Sequence, residues 1–177
     1  MLGIDKEGLL STDEKLEVLI ARNAWQKELI WNRFSMDQLG MSISQPDKVR
    51  RSSQTISVGN TGNWSTKNYL PMGCLKNKET DSILFWQIEQ NGSWYWEISD
   101  QDGHMYLQLS GPTEHQSHWW KNLKPGDTFA SVPVSVGSAC GDVEEAAGEL
   151  TKYRRAIRRK NEDNEKLPVI FNDYMNC

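Results

Sequence analysis

The chain has 177 residues, of which 37% are hydrophobic and 25% charged, which excludes a disordered protein and suggests one domain with part of another. A net charge of −4 argues against general nucleic-acid binding, and no apolar run approaches the roughly 20 residues of a membrane-spanning helix. The first residues, MLGIDKEGLLSTDEK, lack the features of a signal peptide, so we expect a cytoplasmic protein with no nucleic-acid or membrane partner.

The first third of the chain is expected to form strands. The composition of Lys15–Met41 also permits a helix, but Leu29, Trp31 and Arg33 are two residues apart, as on one face of a strand. Because the region that follows has the pattern of a sheet, we predict strands here. Shorter strands are predicted at Thr55–Val58 and Tyr69–Leu75.

The centre of the chain predicts an antiparallel meander with one aromatic face. In Ser82–Gln90 the side chains of Leu84, Trp86 and Ile88 fall on one face of a strand and those of Phe85, Gln87 and Glu89 on the other, and Asn91-Gly92 is typical of a tight hairpin turn. Ser93–Ser99 and Met105–Leu109 alternate in the same way around a second turn. The side chains expected in the core of this sheet are Trp86, Trp94 and Trp96.

A final strand and one helix complete the predicted elements. Val132, Val134 and Val136 alternate, and Pro133 between them indicates an edge strand. Asp142 is then expected to cap a helix, with Glu145 as its capping-box partner. Its apolar stripe is Val143, Ala146, Leu150, Tyr153 and Ile157. The basic end of the helix suits the helix dipole, with phosphate binding as the alternative.

An apolar run follows a polar connector near the end of the sequence. Leu167–Phe171 is typical of a strand buried on both faces, and it leads into the polar Asn172-Asp173-Tyr174. Such a strand differs from the alternating strands before it. We therefore place a domain boundary near residue 141.

Motifs for catalysis are largely missing, since the sequence contains no GxSxG, HExxH, P-loop or GxGxxG. Glu114, His115 and His118 lie in one loop, where they suggest an acid/base cluster or a metal site; the alternative is packing of a buried loop or of a domain interface. We predict no metal site and no cofactor. Cys74, Cys140 and Cys177 match no disulfide or zinc pattern and are expected to be unpaired thiols.

The eight tryptophans suggest carbohydrate binding as one function. Flat aromatic rings stack on the apolar faces of sugars, while amides and carboxylates bind the hydroxyl groups. Trp64, Trp119 and Trp120 lie in or beside polar loops and are the candidate substrate-binding residues. The tryptophans inside strands are expected in the core.

Several stretches together resemble one family. They are SVGNTGNWSTKNYLPMG, FWQIEQNGSWYWEISD, LSGPTEHQSHWWKNLKPGDTF, ELTKYRRAIRR and LPVIFNDYMNC. Taken in this order, from about Ala21 to Cys177, they are similar to glycoside hydrolase family 36, the α-galactosidases and their relatives.

The resemblance implies a fold and a division of the chain. Residues 1–141 would be part of an antiparallel β-supersandwich, and residues 142–166 a linking helix with its connector. Residues 167–177 would begin a catalytic (β/α)8 barrel, as the first strand of a truncated barrel. Because barrel sites lie at the carboxyl ends of strands, Asp173 and Tyr174 would border the galactose pocket.

The resemblance also implies the parent reaction, which is hydrolysis of terminal α-galactosides with retention. The nucleophile and the acid/base belong to later barrel strands that this sequence does not contain, so we name no catalytic residue and expect the isolated chain to be inactive. The expected partners are α-galactosides, through the parent enzyme, and the missing barrel; a homo-oligomer is left open. The alternatives are a stand-alone sugar-binding sandwich and a purely structural domain.

Overall fold

A computed structural model describes residues 2–4, 15–41, 54–101 and 104–171. These residues form two antiparallel sheets that face each other, so the mainly-β prediction is confirmed. The strands are β1 (Leu2–Ile4), β2 (Leu16–Ala24), β3 (Lys27–Ser35), β4 (Thr55–Asn60), β5 (Tyr69–Asn77), β6 (Ser82–Ile88), β7 (Trp94–Gln101), β8 (His104–Ser110) and β9 (Val134–Cys140). The helices are α1 (Glu114–Ser117), α2 (Val143–Ile157) and α3 (Glu162–Lys166).

The smaller sheet has four strands in the order β1-β8-β7-β4, and the larger has five in the order β3-β2-β5-β6-β9. The strands predicted in Lys15–Met41 are present as the hairpin β2–β3. Its turn holds Trp25 and Gln26, and Gln26 has a positive φ of 58°. The edge position predicted from Pro133 is also confirmed, because β9 pairs with β6 at one edge of the larger sheet.

The predicted meander is partly wrong. Strands β7 and β8 form the expected hairpin, but β6 pairs with β5 and β9 and lies in the other sheet from β7. The turn at Asn91-Gly92 therefore connects the two sheets instead of closing a hairpin within one. The physical reason is that Trp86 on β6 and Trp96 on β7 face each other across the interior, so their strands must belong to opposite layers.

The main core lies between the sheets and confirms the interior position of the strand tryptophans. Trp86, Trp94 and Trp96 are all at most 1% exposed. The indole rings of Trp86 and Trp96 meet edge to face, with 5.2 Å between their centroids and 76° between their planes. Aliphatic side chains that complete this core include Val18, Ile20, Ile88, Ile98, Met105 and Leu107.

A second, smaller core lies on the outer face of the larger sheet, beneath helix α2. Ala146 and Leu150 of the helix are buried against Leu19, Cys74, Ile83 and Phe85 of the sheet. Val143 and Tyr153 pack at its border, while Ile157 remains exposed. The predicted stripe thus holds for four of its five members, and β6 is covered on both faces. No helix in the described ranges is long and apolar enough to cross a membrane.

The described cysteines are unpaired, as expected, with Cys74 buried and Cys140 exposed. Burial raises the pKa of the Cys74 thiol to about 12, and the nearby carboxylate of Asp142 adds to the effect. Cys177 lies outside the described residues.

The two thiols should differ sharply in reactivity, because the thiolate is the nucleophile and needs access to the reagent. We expect iodoacetamide to modify Cys140 in the native protein and Cys74 only after urea unfolding, as read by peptide mass mapping. Equal native rates at the two sites would contradict the burial of Cys74.

Gly73 allows Trp86 to occupy the centre of the core. A Cβ atom added at residue 73 would lie 2.5 Å from Cζ2 and 2.8 Å from Cε2 of Trp86, which is too close for any side chain. We expect Gly73→Ala to lower the free energy of unfolding by about 1–3 kcal/mol through overpacking. Urea denaturation followed by tryptophan fluorescence measures this change.

Gly148 provides the matched control, since nothing lies within 4 Å of a Cβ added at this exposed position in α2. Gly148→Ala should raise the free energy of unfolding by up to about 1 kcal/mol, because alanine favours the helix. If the two substitutions had equal effects, close packing at Gly73 would not be the cause.

Candidate functional site

The candidate functional region is the outer face of the larger sheet, which carries helix α2, together with the segments around it. The capping box predicted at the start of the helix is present, since the Asp142 side chain accepts from the Glu145 amide and the Glu145 side chain accepts from the Asp142 amide at 2.8 Å. Asp142 also accepts from the Val143 amide at 2.7 Å. Arg33 on β3 donates to both carboxylate oxygens of Asp142, at 2.7 and 2.8 Å. The same guanidinium donates to Glu17 on β2 at 2.8 Å. Arg33 therefore joins the helix N-terminus to two strands.

The charges of this cluster support one another. Burial alone would raise the pKa of Glu17, but hydrogen bonds from Arg33 and Lys78 outweigh it and leave the pKa lowered. Burial alone would also raise the pKa of Asp142, but the hydrogen bonds from Arg33 and from the Val143 amide leave this pKa lowered. Hydrogen bonds to Glu17 and Asp142 raise the pKa of Arg33. All three groups are thus held in their charged forms.

The far half of helix α2 is attached through different contacts. The hydroxyl of Tyr153 donates to Oε1 of Glu89 at 2.7 Å, and Ser135 on β9 donates to the same oxygen. These two hydrogen bonds, Ser135 first, lower the pKa of Glu89. Arg154 donates to Oε1 of Gln87, with a distance of 3.0 Å from Nε. Both ends of α2 are consequently fixed to the larger sheet.

An apolar cavity of about 470 Å³ lies between α2 and the outer face of the larger sheet. Trp31, Met72, Phe85 and Leu150 are among its lining residues, and Arg154 lies at its polar rim. It continues the second core and shows that the helix does not fill the space above the sheet completely.

The apolar run predicted as a barrel strand is not a strand in this chain. Residues 167–171, the described part of the run, form no strand and are exposed, with Val169 at 100% and Phe171 at 82%. The reason is that a strand of this kind needs hydrogen-bonded neighbours and cover on both faces. Asp173 and Tyr174, the residues expected beside a sugar pocket, lie outside the described residues, as does Asn172.

A long exposed loop leads from α1 to β9, and it holds two of the candidate tryptophans. Trp119 is 39% exposed and packs against Phe129, with 5.6 Å between ring centroids. Trp120 is 64% exposed, and Leu123 is also exposed. Residues 118–131 contain no helix or strand and are all exposed. Structureless loops of this length are uncommon in compact domains, where they are usually either functional segments or linkers.

Two residues of β9 on the core-facing side of the larger sheet are partly exposed to solvent. Val134 and Val136 pair in register with Ile88 and Trp86, so their side chains share the core-facing side of the sheet. Each is nevertheless 43% exposed. Val134 and Val136 thus expose apolar side chains at the β9 edge, and Trp120 and Leu123 do so in the loop; large exposed apolar patches mark interaction sites.

The histidine loop does not form a metal site. Glu114, His115 and His118 are all exposed, so packing of a buried loop is not observed either. No group of three metal-ligating side chains is found in the part of the chain that the structure describes. The four-residue helix α1 here is capped by Thr113, whose side chain accepts from the Gln116 amide at 3.1 Å.

Trp64 is separate from the other candidate tryptophans in sequence. It is 62% exposed in the loop between β4 and β5, where its carbonyl accepts from the Lys67 amide. Sequence reasoning found these exposed aromatic rings, but it missed Arg33, Glu89 and Tyr153, which attach the helix. Their partners are distant along the chain, so no local pattern could have indicated them.

Compared with models of protein families, with curated proteins and with solved structures, the chain matches none of them.

Stability should fall at acidic pH because of the Arg33 cluster. Above the ordinary carboxyl pKa values, about 4, Glu17 and Asp142 are ionised in both states and their stabilisation is complete. As the pH falls, the unfolded chain binds protons first, and stability is lost as pH falls through the lowered folded-state pKa values. We expect Arg33→Met to lower the urea midpoint at pH 7 and to flatten its decline at acidic pH.

Lys152→Met is the control for this experiment, because it removes only an exposed pair with Glu149 within α2. Exposed pairs of this type contribute little. Its urea midpoints should follow those of the unsubstituted chain between pH 7 and pH 3. The same decline with and without Arg33 would show that other groups cause the acid sensitivity.

Proposed function

We propose that this chain is the sandwich region of an α-galactosidase-like retaining glycoside hydrolase of family 36, and that it supports a catalytic (β/α)8 barrel. The observation that carries the proposal is the exposed apolar run Leu167–Phe171, which follows a helix attached to the sandwich at both ends. Exposed singly, such residues would need no explanation, but a contiguous run indicates a surface that a partner covers.

The order of the elements supports this proposal. An antiparallel two-sheet core, then α2, then an apolar run is the order that the family resemblance implies. In the proposal the two sheets belong to the supersandwich, α2 is the linking helix, and Leu167–Phe171 becomes the first barrel strand once its neighbours are present. Parallel strands are buried on both faces, which suits the apolar character of the run.

The exposed aromatic loop and the open β9 edge supply a second part of the proposed contact. Trp120, Leu123 and Phe129 expose large apolar side chains, and Val136 adds to them. Aromatic residues are enriched in the buried centres of interfaces. In the proposal Trp119 and Trp120 therefore serve mainly in docking, and their direct contact with substrate is secondary.

The chemistry of the proposed enzyme would come from the barrel. Retaining glycosidases use two carboxyl groups about 5 Å apart, one as nucleophile and one as acid/base. The resemblance places both on later barrel strands. The contribution of this chain would be Asp173 and Tyr174 at the rim of the galactose pocket, together with the support of the barrel.

Fragment complementation tests the proposal. The chain alone should not hydrolyse an aryl α-galactoside. Added to a family 36 α-galactosidase that lacks its own sandwich region, linking helix and first barrel strand, it should associate and restore turnover, because it supplies these missing parts. Size-exclusion chromatography measures the association, and release of the aryl group measures the activity. Turnover by the isolated chain, or failure to associate, would contradict the proposal.

Substitutions in the apolar run sharpen this test. Phe171→Asp should leave the urea midpoint unchanged, because the side chain contacts little in the free chain, but it should abolish association. Asn164→Asp introduces the same charge at an exposed position of α3 and serves as the matched control. Equal effects of the two variants would show that charge alone, rather than burial of Phe171, governs association.

The alternative, a stand-alone sugar-binding sandwich that uses Trp64, Trp119 and Trp120, has less support. Trp119 is partly covered by Phe129, and Trp64 lies in a different loop. Titration with raffinose or melibiose distinguishes the two, since this alternative requires binding that is lost in Trp119→Ala.

A further inference from the structure

A polar cleft of about 390 Å³ opens on the smaller sheet, where β4 meets the loop that follows it. Its lining includes the polar side chains of Ser57, Asn60, Thr61, Asn68, Tyr95 and Gln116. These residues come from β4, the β4–β5 loop, β7 and α1, so they are brought together only by the fold. None of the residues that line this cleft belongs to helix α2, and the cleft is separate from the sites described above.

The floor of the cleft depends on a glycine. Gly59 pairs with Tyr95 across strands β4 and β7. A Cβ atom added at residue 59 would lie 2.9 Å from the carbonyl oxygen of Trp94 and 3.3 Å from Cδ2 of Tyr95. The bare backbone at this position therefore leaves the space beside the tyrosine ring open.

The ring of Tyr95 is held in place by its hydroxyl group. This hydroxyl donates to Oε2 of Glu97, and the hydroxyl of Tyr106 donates to Oε1 of the same carboxylate at 2.8 Å. Burial, followed by the contact with Glu97, raises the pKa of Tyr95, so its hydroxyl remains a donor at neutral pH. The cleft thus presents a fixed, uncharged aromatic ring.

The loop between β4 and β5, which forms one wall of the cleft, is also held in place by hydrogen bonds. Trp94 donates from its indole nitrogen to the carbonyl of Ser65 at 2.6 Å, and Asn23 donates to the carbonyl of Thr66 at 2.6 Å. The amide of Gly62 donates to the hydroxyl of Ser93 at 2.9 Å. These contacts join the loop to both sheets, and pockets for small molecules are usually preformed in this way.

The chemistry of the lining selects a class of ligand. It holds three amide side chains and three hydroxyl groups, one cation in Lys67, and no carboxylate among the lining residues. These residues offer no negative charge to a cationic ligand, and they offer a single positive charge, that of Lys67, to an anionic ligand. Asn60 is one of the lining residues, and its amide nitrogen is buried without a hydrogen-bond partner in the described residues, so this donor is not satisfied within that part of the chain.

We propose that this cleft binds a neutral saccharide. Hydroxyl groups of the sugar hydrogen-bond to Asn60, Asn68 and Gln116, and an apolar face of the sugar packs on the ring of Tyr95. Trp64 lies in the loop between Thr61 and Lys67, both of which line the cleft, and its indole is exposed. The site functions whether or not the chain also supports a catalytic barrel.

Amide chemical-shift mapping tests the site on the full chain. Galactose, glucose, mannose, melibiose and raffinose are titrated separately into ¹⁵N-labelled protein. At least one should bind with shifts concentrated at residues 57–68, 95 and 116. No saturable shift with any of the five sugars overturns the proposal, and so do shifts centred on Trp119 and Trp120.

Paired substitutions separate this cleft from its neighbour. Asn60→Ala combined with Gln116→Ala, two residues that line this cleft and not the adjoining one, should weaken binding of the same sugar by at least about tenfold, the effect of losing roughly 1.4 kcal/mol of hydrogen bonding. Asn32→Ala removes an amide from the adjoining cleft of Arg22 and Lys27 and should leave the affinity unchanged. Equal weakening in both variants would overturn the assignment. Should the double variant unfold, the shift map of the unsubstituted chain decides alone.

Discussion

The contact between Trp86 and Trp96 is the interaction on which the rest of the structure depends. One ring comes from each sheet, and their edge-to-face packing sets how the two layers meet. Both indole nitrogens are buried without a partner in the described residues. Leaving such a donor unpaired costs about 1–3 kcal/mol, and the large apolar area of each ring and its aromatic contact offset this cost. Gly73 is a consequence of the same contact, since it makes room for the ring of Trp86.

Strand β6 transmits this constraint to the outside of the larger sheet. Its residues Trp86 and Ile88 face the main core, while Ile83 and Phe85 face the second core beneath α2. The position of the helix is thus tied to the tryptophan contact through one strand. Burial of its apolar side chains holds the helix on the sheet, and hydrogen bonds with Arg33 near its N-terminus and with Glu89 near its C-terminus fix its position. These two kinds of contact have different roles, because apolar burial is non-directional whereas hydrogen bonds fix geometry.

Local patterns in the sequence predicted the elements that depend on local interactions. The alternation in β7 and β8 and the capping box of Asp142 involve residues close along the chain, and all are present. The sheet to which β6 belongs was not predictable in this way, since Asn91-Gly92 indicates a turn but not the partner of the strand before it. A continuous apolar stretch, Ile83 to Trp86, was the available sign that β6 is covered on both faces.

The candidate sites were harder to predict than the fold, because their parts are distant in sequence. Arg33 and Asp142 are 109 positions apart, and nothing in either local pattern indicates the other. The polar cleft combines β4, β7, α1 and a loop, and its residues are ordinary surface types when taken singly. An abundance of tryptophan does not by itself indicate a binding site, because Trp86, Trp94 and Trp96 mainly build the core.

Burial of apolar surface alone would not order the exposed apolar run Leu167–Phe171. Burying Val169, Ile170 and Phe171 would gain about 1.5–3 kcal/mol for each side chain. Fixing the backbone costs about 1–2 kcal/mol per residue, and ordering the side chains adds to that cost. The two amounts nearly cancel, so contact with one apolar face leaves the run without a net driving force. Hydrogen-bonded neighbours and cover on both sides provide the difference, and a strand inside a parallel sheet has both. The sequence of the run therefore suits a position between strands better than a place against the outer face of this sandwich.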